Sequence, residues 1–170
     1  MGGLERGTSD LRFTCDVVVV DDYRALAFEI AEGLGRRGLS VEVVHDGAAA
    51  RALAARVRPA VALVDCHLPD VHGLHLIREL GLQWPETTFL AISGELGGVT
   101  EEMARALRIH AFLNKPLPMR PLVQAVERLV ASSRDRTPRP ETTRPWIALG
   151  IGSPAGHGTA PVIPLRPLGP

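Results

Sequence analysis

Five short apolar runs punctuate the chain: CDVVVV from Cys15, VEVV from Val41, AVALV from Ala60, TTFLAIS from Thr87 and AFLN from Ala111. Each is the length of a strand, and the stretches between them carry apolar residues at helical spacing. Leu26, Ile30 and Leu34 line one face of a first helix that GRRG stops near Arg37. Asp46 is placed to cap a second, short helix through Leu53, and Pro59 stands just before the third strand. Leu74, Ile77 and Leu80 mark a third helix; Val99, Met103 and Leu107 a fourth; Leu122, Val126, Leu129 and Val130 a fifth that begins after Pro121. Strands alternating with helices predict a parallel sheet with crossover helices, and near-continuous apolar strands predict helices on both of its faces. The expected fold is an α/β doubly wound open sheet.

The pattern covers residues 15–131 and leaves two flanks. Residues 1–14 are polar and aperiodic and read as a flexible leader. Residues 132–170 hold eight of the fourteen prolines and five of the seventeen glycines, a composition that predicts disorder and no second core. That segment reads equally as a linker, a docking peptide or a non-native extension from a shifted reading frame. The expectation is that no effector domain is attached and that output passes through a protein partner.

Nineteen basic and nineteen acidic side chains cancel, which removes any bulk electrostatic reason to expect direct binding of nucleic acid or membrane. The N-terminus has no apolar signal-like core and no run is long enough to span a bilayer, so a cytoplasmic protein is expected. Cys15 and Cys66 lie in or beside apolar runs with no metal-ligand spacing and read as buried, reduced thiols. All the basic residues but one are arginine; Lys115 alone can supply a compact ammonium.

In an open α/β sheet, ligands bind beyond the carboxyl ends of the strands. Here the first strand runs into Asp21 and Asp22, the third ends on Asp65, the fourth on Ser93, and the fifth runs into Asn114 and Lys115. Three carboxylates crowded together repel one another unless a cation sits between them, and hard oxygen ligands of this kind suit Mg2+. An aspartate carboxylate can also act as the in-line nucleophile in phosphoryl transfer.

The segments VVVVDD, LVDCHLPDVHG, LAISG and FLNKP resemble the receiver domains of response regulators in two-component signalling. The intervals fit as well: 43 residues from Asp22 to Asp65, 28 from Asp65 to Ser93 and 22 from Ser93 to Lys115. The resemblance implies a flavodoxin-like sheet of order 2-1-3-4-5 with five helices. It implies that Asp65 accepts the phosphoryl group and that Asp22 ligates Mg2+ directly, while Asp21 holds a metal-bound water. The backbone carbonyl of His67 would be a further ligand, so that Asp21, Asp22, Asp65 and His67 form the metal site. Ser93 matches the hydroxyl that turns to the phosphoryl group, Lys115 the ammonium that pairs with it, Phe112 the switch aromatic, and Pro116 a proline whose peptide bond is usually cis. In resembling proteins the positions of His67 and Glu95 flank the route of the attacking water, so these two residues are expected to tune the acyl-phosphate lifetime. Arg108 departs from a glycine often found seven residues before the lysine, and the loop GELGGVTEEM is unusually rich in glycine.

The implied function is a phospho-accepting receiver of a two-component system or phosphorelay. A histidine kinase or phosphotransfer protein would donate to Asp65, and a downstream protein target would read a face built by the fourth helix, fifth strand and fifth helix. A phosphorylation-dependent homodimer is compatible with this. The chain would catalyse only its own phosphorylation and dephosphorylation and would not be an enzyme in the metabolic sense. The alternative is a degenerate receiver serving as a constitutive interaction module. A haloacid-dehalogenase-type phosphatase would need Asp-x-Asp after the first strand, where this chain has adjacent acids. Read blandly, Asp21 and Asp22 cap a helix, Asp65 starts a turn, Phe112 is core, and His67, His72 and His75 are solvated histidines with no fourth ligand.

Overall fold

The computed structural model describes residues 13–94 and 101–135; Glu95, Val99 and the greater part of both flanks lie outside them. The elements alternate as the apolar pattern requires. They are β1 (Cys15–Val20), α1 (Arg24–Gly35), β2 (Val41–Val44), α2 (Gly47–Ala54), β3 (Pro59–Asp65), α3 (Gly73–Gln83), β4 (Thr88–Ser93), α4 (Glu101–Ala106), β5 (Ile109–Asn114) and α5 (Met119–Arg134). All strand pairs are parallel and the order is β2-β1-β3-β4-β5, the flavodoxin-like arrangement.

The period of two along each strand divides the core into two layers. Val17, Val19, Val61, Leu63, Leu90, Ile92 and Leu113 point to α1 and α5, packing on Ile30, Leu34, Leu122 and Val126. Val18, Val20, Ala62, Val64, Phe89 and Ala91 point the other way, to Leu53 on α2 and Leu76, Ile77 and Leu80 on α3. β1 and β3 are buried along their whole length, whereas the edge strands β2 and β5 are only partly covered. The hydrophobic runs therefore read as strands covered on both faces only in the middle of the sheet.

Four boundaries differ from the sequence reading. α1 stops at Gly35, because Gly38 takes a left-handed conformation (φ 77°) that closes the turn. α5 begins at Met119 with Pro118 as its N-cap; Pro121 sits inside its first turn, where a missing N–H breaks no intrahelical bond. It also continues past Ala131 to Arg134. Ser133 is buried with its hydroxyl donating to the Leu129 carbonyl, and the Arg134 guanidinium donates to buried Asp16 at 2.5 Å, at the far end of the sheet from Asp21. At the other flank Thr14 already belongs to the fold: its N–H donates to the Arg58 carbonyl and its hydroxyl accepts from the Arg58 N–H. Among the described residues no helix is long and apolar enough to cross a membrane.

Candidate phosphoryl-acceptor site

Parallel strands end together, and the register brings their polar exits to one edge. Val20 pairs with Val64, so Asp21 and Asp65 leave adjacent strands side by side; Ser93 pairs with Asn114, so Lys115 emerges next to Ser93. Asp21 and Asp65 are buried, Asp22 is exposed, and ligand oxygens of all three lie within 4.8 Å of one another. Lys115 reaches back into this group with Nζ 2.5 Å from Asp65 Oδ2 and 3.2 Å from Asp21 Oδ2. The Lys115–Pro116 peptide bond is cis, as in the proteins the sequence resembles.

Each carboxylate is held by local backbone. Asp21 Oδ1 accepts from the Tyr23 N–H at 2.8 Å, which closes the turn into α1. Asp65 Oδ1 accepts from the His67 N–H at 3.0 Å, leaving Oδ2 to Lys115. The loop after Asp65 folds back on itself: the Gly73 N–H donates to the Cys66 carbonyl, and His67 bridges His72. Gly73 is required there, since a Cβ would lie 2.0 Å from the Asp65 carbonyl oxygen.

Electrostatics follow from this burial. Desolvation raises the Asp21 carboxyl above its usual range, and the Asp65 charge adds to it, against the Tyr23 N–H and Lys115. Partial burial pulls the Lys115 ammonium down, but its hydrogen bond to Asp65 and the field of Asp21 outweigh that and raise it. Asp21 Oδ2 is buried without a hydrogen-bond donor, its contact with Lys115 being an ion pair lacking hydrogen-bond geometry. A buried carboxylate oxygen with an ion-pair partner but no hydrogen-bond donor, facing two further carboxylates, is the donor set a hard divalent cation takes. The residues fit Mg2+.

Of the residues singled out in the sequence, Asp21, Asp22, Asp65, Ser93 and Lys115 share this edge, and His67 adjoins it through its backbone. Ser93 is buried, and Phe112 is half-buried, packed on the α2–α3 side of the sheet. The histidine trio forms a chain of rings, with centroids 5.9 Å apart for His67 and His72 and 6.1 Å for His72 and His75. His72 Nδ1 accepts from the Leu74 N–H as the N-cap of α3, which commits that nitrogen; all three rings are exposed. Burial pushes the Cys66 thiol up to about 11 and Cys15 up to about 12, so neither is a thiolate nucleophile. Two contributors escaped the sequence reading: His45, whose Nδ1 lies 2.9 Å from the Asp21 carbonyl oxygen, and Asp70, which spans to α2. Asp70 stood inside the LPDVHG motif, but no local pattern says which helix it reaches.

Comparison with known proteins places this site in a family. Residues 17–127 match the family model for the response regulator receiver domain. Curated relatives include the photosynthetic apparatus regulatory protein RegA of Rhodobacter capsulatus, 26% identical over 74% of this chain and 66% of its own length. Response regulator MprA of Mycobacterium avium is 29% identical over 78% of this chain and 56% of its own. The transcriptional regulatory protein TrcR of Mycobacterium tuberculosis is 33% identical over 69% and 46%. The chain thus spans about half to two-thirds of the length of these relatives. Among solved structures, a response regulator from Burkholderia pseudomallei holding a phosphorylated aspartic acid, a calcium ion and citrate superposes with a TM-score of 0.61 at 28% identity, over 69% of each chain. The chemotaxis regulator CheY4 of Vibrio cholerae has the same fold, with a TM-score of 0.61 at 24% identity over 68% of this chain and 98% of that one. The chain belongs to the response regulator receiver domain family of two-component signalling. Members of that family are generally signalling modules that bind Mg2+ in an acidic pocket, and this chain has an aspartate cluster of Asp21, Asp22 and Asp65.

Proposed function

We propose that this chain is a phosphorylatable receiver in which Asp65 accepts a phosphoryl group from a phosphohistidine on a histidine kinase or phosphotransfer protein. The observation that carries this reading is the Lys115 ammonium seated between Asp65 and Asp21 at the carboxyl edge of the sheet. Asp65 Oδ2 attacks phosphorus, the P–N bond to the donor imidazole breaks, and the imidazole leaves with its electron pair. The His67 N–H fixes the other carboxylate oxygen and so sets the angle of attack. Lys115 then exchanges its contact with Asp65 Oδ2 for the phosphoryl oxygens, and Ser93 donates from the opposite side.

Asp21, Asp22 and Asp65, with the His67 carbonyl, would hold Mg2+. When bound, such an ion would supply charge neutralisation for the transferring oxygens. His67, next but one to Asp65, would tune how fast water removes the phosphoryl group, a role the resemblance also gives to Glu95, which lies outside the described residues. Downstream, the phosphorylated form presents a changed protein-binding face.

The test is treatment with acetyl phosphate and Mg2+ and then intact mass. A gain of one phosphoryl group that disappears in Asp65→Asn and without Mg2+ is expected. No gain, or an equal gain in Asp65→Asn, rejects the reading.

A further inference from the structure

The loop that carries the acceptor is clasped by a helix on the far side of its tip. Asp70 accepts from the Gly47 N–H through Oδ1 at 2.8 Å and from the Ala48 N–H through Oδ2 at 2.9 Å, while Asp46 Oδ1 takes the Ala49 N–H at 2.7 Å. The opening turn of α2 therefore spends two of its free N–H groups on a residue 22 and 23 positions away. The contact is shaped for closeness: a Cβ on Gly47 would stand 2.4 Å from Val71 Cγ1 and 3.1 Å from Asp70 Oδ2. Arg51, on the next turn of α2, lies 3.9 Å from Asp70 and donates from Nε to Glu79 of α3 at 2.6 Å. Residues 66–73 are thus closed at their base by Cys66 with Gly73 and by His67 with His72, and anchored at their tip by Asp70.

We propose that Asp70 is a positioning residue for the acceptor loop, holding the His67 backbone where its N–H fixes Asp65 and its carbonyl can serve the metal. This rests on the function proposed above. A loop pinned at both ends cannot drift by the fraction of an ångström that separates a good metal ligand from a poor one, and supporting groups of this kind set metal affinity. Freeing the tip leaves the carboxylates in place but lets the His67 peptide move.

The experiment is a Mg2+ titration of the isotope-labelled full chain without phosphodonor, tracking the amide shifts of residues 66–68, with amide exchange recorded on the metal-free protein. Asp70→Ala is expected to raise the Mg2+ midpoint roughly tenfold. Asp70→Asn, which keeps one acceptor, should fall between, and exchange should quicken at His67 as well as at Gly47 and Ala48. With acetyl phosphate at saturating Mg2+, Asp70→Ala should reach the wild-type extent of phosphorylation. An unchanged Mg2+ midpoint, or faster exchange confined to α2, overturns the proposal. Should Asp70→Ala not fold, Asp70→Asn carries the same comparison. Failure of the wild type to gain phosphate would remove only the function proposed above, because the metal titration is read without it.

Discussion

Lys115 Nζ lies 2.5 Å from Asp65 Oδ2 across 50 residues of sequence, and no other lysine exists in the chain to replace it. Lys115→Ala should fold, since the side chain is part-exposed and belongs to neither hydrophobic core cluster. It should slow phosphorylation of Asp65 roughly tenfold or more, as expected when a preorganised cation is withdrawn from developing phosphoryl charge. It should also abolish the conformational response. Lys115→Arg should not restore either, because a planar fork does not fit a site shaped for a compact ammonium. Rates from intact mass and amide exchange of the phosphorylated variant check both statements; a normal response in Lys115→Ala would count against the role.

Asp21 is expected to cost stability in the metal-free chain. Its side chain is fully buried, one oxygen has no hydrogen-bond donor, and desolvation raises its carboxyl. Asp21→Asn should therefore stabilise the metal-free protein by about 1 kcal/mol, while the Mg2+-induced rise in melting temperature shrinks or vanishes. Thermal melts with and without Mg2+ decide it. A destabilised variant would mean that the ion pair with Lys115 outweighs the burial.

The α2 clasp should fail in acid. Hydrogen bonds from Gly47, and with them those from Ala48 and the Arg51 charge, hold Asp70 below its ordinary 3.8, and the Arg51 hydrogen bond holds Glu79 below 4.5. Groups with depressed folded pKa values contribute stability that is complete above the unfolded values and is lost as pH falls through the depressed ones. Exchange protection at Gly47 and Ala48, corrected for intrinsic rates, should stay level from neutral pH down to about the ordinary Glu79 value of 4.5 and fall below 3.8. Protection that declines between neutrality and pH 5 would point to a histidine instead.

The fold was legible because burial obeys chain-local rules. β1, β3 and β4 are central strands, and their unbroken apolar runs say so; Asp46 caps α2 as its place before an alanine-rich stretch suggested. The site was legible because parallel strands deliver their exits to one edge, so the polar residues at the strand ends, Asp21, Asp65, Ser93 and Lys115, could be gathered before any contact was known. The contacts that escaped were fixed by tertiary docking. Asp70 reaching α2, Arg134 reaching Asp16 and His45 reaching the Asp21 carbonyl link residues with no shared periodicity. The start of α5 was misplaced because Pro121 is compatible with any position in a first turn.

Arg108 supplies a test of backbone strain. It adopts φ 55° just after α4, with its N–H donating to the Arg105 carbonyl at 3.1 Å, at the position where resembling receivers often carry glycine. A left-handed residue with a Cβ costs about 1–2 kcal/mol, partly offset because glycine loses more entropy on folding. Arg108→Gly should therefore stabilise by about 0.5–1 kcal/mol, read from denaturant midpoints at constant slope. Destabilisation would show that contacts of the arginine side chain outweigh the strain.

Output should run from Ser93 to Phe112 along one face of the sheet. Ala91 pairs with Phe112 and Ser93 with Asn114, so Ser93 lies two residues beyond the Phe112 partner and on the same face. The half-buried Phe112 ring packs on the α2–α3 side of the core, on the cluster that contains its small pairing partner Ala91. We expect Ser93, on turning toward a phosphoryl group, to vacate space that the ring would fill, so that the surface of α4, β5 and α5 would be repacked. Such a response would be a shift between two packings, which phosphate need favour by only a few kcal/mol. Phe112→Ala should keep phosphorylation at Asp65 near the wild-type rate yet lose the phosphate-linked change in amide exchange between Ser93 and Leu122, while the wild type changes there and stays constant in α1 and α2. A wild-type response confined to α1 and α2, or an undiminished one in Phe112→Ala, would place the output face elsewhere.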